Sequence, residues 1–172
     1  QLLPIPREEQ ITSIVSVESF DNERYLLMLT KNGFIKRTPL SAFSKIRSNG
    51  LIAINLEEGD ALTWVRLSTE GDSVLIGSRE GMTIHFRLDI NELRPLGRTA
   101  RGVKSMNLKD GDKLVSMDVL TSDLVDQLAK IDKENDENLE SNSSNGPWVL
   151  VASAFGLGKR VPVTQFRLQK RA

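Results

Sequence analysis

The stretch Leu26 to Leu40 occurs in recognisable form three times, and a chain that repeats itself in this way is built by stacking copies of one unit. With Gly33 aligned on Gly81 and Gly156, Leu27 falls on Leu75 and Leu150, Thr30 on Ser78 and Ser153, and Lys36-Arg37 on Lys159-Arg160. A tail repeats as well: Asn49 to Asp60 matches Arg101 to Asp112. The hairpin portions are offset by 48 positions and the tails by 52, a period of about 50 that suits propeller blades.

Each copy begins with an aliphatic run that ends at Thr or Ser. Three residues later a Gly allows the positive backbone dihedral of a tight turn, and branched or aromatic residues follow. This predicts a β-hairpin per copy. Ile11–Val17, Ala61–Leu67 and Lys113–Val119 resemble one another as strands that close a unit, so the chain is expected to begin with the end of a preceding unit. The divisions predicted are the tail of a preceding blade at 1–24, blades at 25–71 and 72–120, an acidic flexible insertion at 121–147 and the first part of a further blade at 148–172. Within the insertion, Leu124-Val125, Leu128 and Ile131 are spaced for one or two amphipathic helical turns.

The residue inventory excludes much chemistry. There is no cysteine, hence no disulfide or thiolate site, and the single histidine, His85, reads as a packed strand residue. No apolar run is long enough to cross a membrane, and Gln1 to Arg7 lacks a signal-peptide layout and an initiator Met, so the chain is expected to be a processed product or a piece of something longer. Gly156-Leu157-Gly158-Lys159 fails the phosphate-loop pattern at Ser153 and Arg160. Asp132, Glu134 and Asp136 alternate like a calcium loop without its glycine, and Asn142-Ser143-Ser144 matches a glycosylation acceptor in a chain without a secretory signal. Asp60 and Asp112 are accounted for by turns, and Tyr25 has nothing beside it that suggests a nucleophile. No catalytic residue and no metal site is predicted.

The net charge is zero, but it is unevenly spread. Val119 to Asn145 holds 7 acidic and 2 basic residues, which leaves 16 acidic and 21 basic residues elsewhere. The segment after each hairpin is cationic: Lys45 and Arg47, then Arg98, Arg101 and Lys104, then Arg167, Lys170 and Arg171. Equivalent loops of successive blades lie on one surface, so these groups would form an arc of positive charge suited to a bent duplex. Lys36, Arg37, Lys159 and Arg160 are possible additional contacts. The competing readings are cations that only solubilise the surface and a propeller-like protein-interaction module without DNA binding.

The pattern Leu29-Thr30-Lys31-Asn32-Gly33-Phe34-Ile35-Lys36-Arg37-Thr38, with Phe43, Asn49-Gly50, Ala53-Ile54 and Glu58-Gly59-Asp60, resembles the C-terminal domain of the DNA gyrase A protein, and less closely that of the corresponding topoisomerase IV protein. The second copy answers with Ser78-Arg79-Glu80-Gly81, Thr99 to Val103 and Lys109-Asp110-Gly111-Asp112. The resemblance implies an all-β fold, a β-pinwheel (a propeller-like repeat domain), here an incomplete ring of four-stranded blades with a strand exchanged between neighbours. It implies wrapping of double-stranded DNA on a basic rim, in a heterotetramer of gyrase A and gyrase B proteins that introduces negative supercoils with ATP. ATP and Mg would belong to other parts of that enzyme, so no cofactor is expected in this fragment.

The gyrase box, Gln-Arg-Arg-Gly-Gly-Lys-Gly, is absent; Gln169-Lys170-Arg171-Ala172 resembles its opening but stands in a later blade. The acidic insertion before Gly146-Pro147-Trp148 looks more like plant organellar members. Those are delivered to plastids and mitochondria; otherwise the expected location is the bacterial cytoplasm at the nucleoid.

Overall fold

A computed structural model describes residues 9–45, 50–127 and 147–171. Its strands are β1 (Arg24–Thr30), β2 (Phe34–Pro39), β3 (Leu62–Thr69), β4 (Ser73–Ser78), β5 (Thr83–Arg87), β6 (Val103–Lys104), β7 (Leu114–Leu120), β8 (Trp148–Ala152) and β9 (Gly158–Pro162). The three expected hairpins are β1–β2, β4–β5 and β8–β9, all antiparallel. One turn chemistry makes all three. Gly33, Gly81 and Gly156 have φ of 85°, 84° and 81°, and their N–H groups donate to the carbonyls of Thr30, Ser78 and Ser153. The hydroxyls of the same three residues accept from the N–H of Phe34, Met82 and Leu157 at 3.1, 3.2 and 3.2 Å. The Thr/Ser-to-Gly spacing is therefore a local hydrogen-bonded turn that needs no help from the rest of the fold.

Each hairpin is closed by a later strand: β3 pairs with β1, and β7 with β4. Asp60 and Asp112 tie the closing strand back to the hairpin tip. Asp60 Oδ1 accepts from Asn32 and Ala61 N–H at 3.0 and 2.8 Å, and Asp112 Oδ1 from Glu80 and Lys113 N–H at 3.1 and 2.8 Å. They do more than form their own turns. Residues 11–17, expected as a strand, are not one. Both authentic closing strands pair with the first strand of their own hairpin; residues 11–17 have no such partner among the described residues. Ser13 meets Val65 only through its hydroxyl, and Val15 packs on the cluster of Met28, Ile54 and Val65.

The sheets have four strands in the order β3-β1-β2-β6, three in the order β5-β4-β7, and two. The fourth strand of the first sheet, β6, comes from the second repeat, pairing Ile35 with Val103 and Phe34 with Lys104. Leu27, Leu29 and Ile35 of the first repeat join Val74, Ile76, Ile84 and Phe86 of the second in one core. A smaller cluster links Leu120, Val125 and Val163. Val125 lies in the helical residues 122–127, where the sequence had placed a turn of helix; Leu128, Ile131 and residues 132–145 lie outside the described residues. Exposure at equivalent aliphatic positions reports the stacking: Leu27 is 0% and Leu75 8% exposed, whereas Leu150 is 76% exposed.

The exchanged segment comes very close to β2. Gly102 has φ 103°, and a Cβ there would stand 2.5 Å from the Ile35 carbonyl oxygen. Gly81 has a similar dihedral with nothing within 4 Å. We expect G81A to cost about 1 kcal/mol of unfolding free energy from backbone strain alone and G102A at least about 2 kcal/mol, measured by denaturant titration.

Candidate nucleic-acid interface

Two bonds the sequence did not announce tie a cationic segment to the tail of the repeat before it. Arg98 Nη1 donates to the carbonyl of Ile52 at 3.1 Å, and Arg171 Nη1 donates to the carbonyl of Lys104 at 2.9 Å. Ile52 and Lys104 are equivalent in the repeated tails, so each bond joins one repeat's cation to the preceding repeat's tail. Arg98 and Arg171 are half-buried in consequence. Arg171 also donates from its backbone N–H to the Glu92 carboxylate.

Lys45, Arg101, Lys104, Arg167 and Lys170 are exposed, while Arg47 lies outside the described residues. Arg101 stacks 4.4 Å from the centre of the Phe34 ring and pairs with Glu57. Phe34 belongs to the first repeat, and Glu57 to the segment leading into β3, so this guanidinium is also oriented across a junction. Glu57 was not legible as part of the site, because it is one of many carboxylates and only the packing of two repeats brings it to Arg101.

Lys36 and Arg37, expected from sequence as additional contacts, are both 0% exposed and cannot reach a nucleic acid in this structure. This corrects the sequence reading. Lys36 Nζ donates to the carbonyls of Gly97, Arg98 and Ala100 at 3.0, 2.5 and 3.0 Å. Burial, then the charge of Arg98, push its ammonium down to about 8. Arg37 Nε donates to the Leu93 carbonyl, and Nη1 to the Leu88 carbonyl at 2.9 Å and to Glu70 Oε2 at 2.7 Å. Its guanidinium lies 4.6 Å from the centre of the Tyr25 ring. These cations are buried because several acceptors replace the water they lose.

Four residues after each hairpin glycine stands Arg37, His85 or Arg160. His85 makes the second repeat's version of the Arg37 contact. Its Nδ1 lies 2.8 Å from the carbonyl of Phe166, and its Nε2 lies 2.8 Å from Ser73 Oγ. Below each clasp the backbone follows suit: Leu96 N–H donates to the Arg37 carbonyl and Gln169 N–H to that of His85. Arg160 stacks 4.4 Å over Trp148 as Arg37 does over Tyr25, yet it and Lys159 are exposed. The same Lys-Arg pair is thus interior in the first repeat and solvent-facing in the third.

Among the described residues, no three or more His, Cys, Asp or Glu side chains gather as a metal site, and no helix is long and apolar enough to cross a membrane. What the surface offers is a succession of exposed cations on backbone held between repeats. Such groups can contact phosphates without reading bases.

Strand-sharing repeats of this period define a propeller-type domain. The sequence profile described as "DNA gyrase C-terminal domain, beta-propeller" matches residues 24–69, 72–121 and 147–172. The chain belongs to the family of DNA gyrase A C-terminal domains. It is 55% identical to the DNA gyrase A protein of Synechocystis sp. over 181 residues, covering 100% of this chain and 21% of that protein. With the chloroplastic/mitochondrial DNA gyrase A protein of Arabidopsis thaliana, identity is 44% over 167 residues, covering 97% of this chain and 17% of the relative. The chain therefore spans about a fifth of the length of such relatives. A structure of the DNA gyrase A C-terminal domain superposes with a TM-score of 0.73 at 25% identity, covering 99% of this chain and 48% of the other. The crystal structure of the C-terminal domain of DNA topoisomerase IV gives 0.75 at 28% identity, covering 99% and 46%.

Two outcomes follow from the clasps. R37M removes donors from the Leu88 and Leu93 carbonyls and the partner of Glu70, and is expected to cost about 2–3 kcal/mol in denaturant titration; R160M, at the exposed equivalent, should cost under about 0.5 kcal/mol. Burial pushes the His85 imidazole below its ordinary value, with Arg87 acting the same way and the Phe166 carbonyl opposing. The unfolded chain, whose His titrates at about 6.5, then takes up the proton first, so stability is lost as pH falls below that value. Thermal unfolding of H85Q between pH 7 and 5 should show a shallower acid-side decline than the unsubstituted protein.

Proposed function

We propose that this chain binds double-stranded DNA independently of sequence and contributes to its wrapping as part of a gyrase A protein. The observation that supports this most directly is that the cationic segments of the second and third repeats are each tied to the preceding repeat's tail, Arg98 to Ile52 and Arg171 to Lys104, and carry the exposed Arg101, Lys104, Arg167 and Lys170, with Lys45 exposed in the first repeat. A duplex is stiff, and bending it over a short site costs several kcal/mol, about 1–6 by elastic estimates. Many modest phosphate contacts along a curve can offset that cost, and none needs a base-reading element.

In the whole type II topoisomerase, the wrap would support ATP-dependent negative supercoiling together with the gyrase B protein, with ATP and Mg held in other parts of the assembly. The named relatives are bacterial and organellar alike. The proposed setting is accordingly wherever the DNA lies, the bacterial nucleoid or a plastid or mitochondrion.

Binding of a duplex of mixed sequence, titrated with salt, tests the reading. A steep linear fall of log affinity with log salt is expected, and the triple change K45E/R101E/K104E should weaken binding at least about tenfold at fixed salt. The control E134K/D136K, in the acidic run, should not weaken it. Failure of the unsubstituted chain to bind at low salt would favour a protein-interaction surface instead.

A further inference from the structure

We propose that Lys36, although buried, is a positioning residue for phosphate recognition: its ammonium, gathered by the carbonyls of Gly97, Arg98 and Ala100, fixes the turn that presents Arg101 and Lys104 to the duplex. This rests on the DNA-binding reading above and assigns to that surface a residue with no access to it.

The geometry is specific to an inter-repeat pin. Lys36 lies on β2 of the first repeat, and all three of its acceptors lie in the second. Backbone carbonyls that converge on one point repel one another, and a cation between them satisfies them together. The pin sits in the middle of a longer attachment. On one side Arg37 holds the Leu93 carbonyl. On the other, Gly102 lies against Ile35, and Ser105 bonds to the Gly33 carbonyl through both its N–H and its hydroxyl.

Residues 97–100 are the part of this attachment whose carbonyls converge on a single side chain from outside the turn. Apart from the Ala100 N–H bond to Gly97, the bonds described to those carbonyls run from Lys36. Arg101 begins directly after the turn, and Lys104 follows on β6. Without the ammonium, the half-buried Arg98 and Ala100 carbonyls would lose the partner described for them and Gly97 would keep only the Ala100 N–H, so the turn would move to bring its carbonyls to water.

The equivalent position in the second repeat is Ile84, which joins the core between repeats, and in the third it is Lys159, which is exposed. A pin of this kind is therefore made at one junction among the described residues. This makes its effect separable from the repeat fold in general.

The test is a double-mutant cycle on duplex binding, read as the salt slope at a temperature well below unfolding, with K36M in the unsubstituted and in the R101A/K104A background. Two lost phosphate contacts reduce the slope by about two. K36M is expected to lower affinity roughly tenfold and to reduce the slope by one to about two, and to add nothing further in the R101A/K104A background. Should K36M not remain folded, K36Q, whose amide keeps two N–H donors but not the charge, is read in the same way. A folded variant that binds with unchanged affinity and slope overturns the role of Lys36, and so does an equal loss in both backgrounds. If the unsubstituted chain itself does not bind, it is the DNA reading that falls, a result distinguishable from either.

Discussion

The outer edge of β2 cannot be left open, and the structure depends on how it is closed. A strand edge presents unpaired N–H and C=O groups that must find partners or water. Here the following repeat supplies them. Val103 and Lys104 pair with Ile35 and Phe34, and Leu96 N–H reaches the Arg37 carbonyl. A repeat is thus completed by its successor, and the core between them is shared: Leu27 and Ile35 are buried against residues nearly 50 positions later. The same arrangement recurs, shorter, where His85 meets Phe166, Leu168 and Gln169.

This closure sorts the cations. Side chains on β2 that point into the junction meet backbone carbonyls and become structural, as Lys36 and Arg37 do. Those on the incoming segment stay at the surface but are tethered by it. Arg98 and Arg171 use part of their donor set on a neighbour's carbonyl, while Arg101 is oriented between Phe34 and Glu57. The electrostatic surface is therefore a by-product of how repeats are joined. A charge count over the whole chain, which comes to zero, hides the separation between the cationic segments and the acidic run.

The family resemblance and the propeller class were readable because they rest on local chemistry repeated at fixed spacing. Thr30 to Gly33, Ser78 to Gly81 and Ser153 to Gly156 each close a turn with their own atoms, so three hairpins could be placed before any packing was known. The closing strands Ala61–Leu67 and Lys113–Val119 were likewise found near β3 and β7. The similar Ile11–Val17 did not become a strand, since pattern makes a strand possible and a hydrogen-bonding partner makes it actual. Asp60 and Asp112 were recognised as turn residues, but their reach to the hairpin tip depends on a contact more than 25 residues distant in sequence.

Sequence by itself determined the repeat, its hairpin and the recurrence of positive charge after each copy. It could not determine which cations face water, and the two Lys-Arg pairs show why. Lys36-Arg37 and Lys159-Arg160 are identical in residue and in register, each with an aromatic ring eight positions before the hairpin glycine. The first pair is buried and the second exposed, because the segment of the next repeat lies over the first and nothing among the described residues lies over the second. Burial of a charge is decided by the acceptors brought to it, and those are a property of the tertiary structure alone.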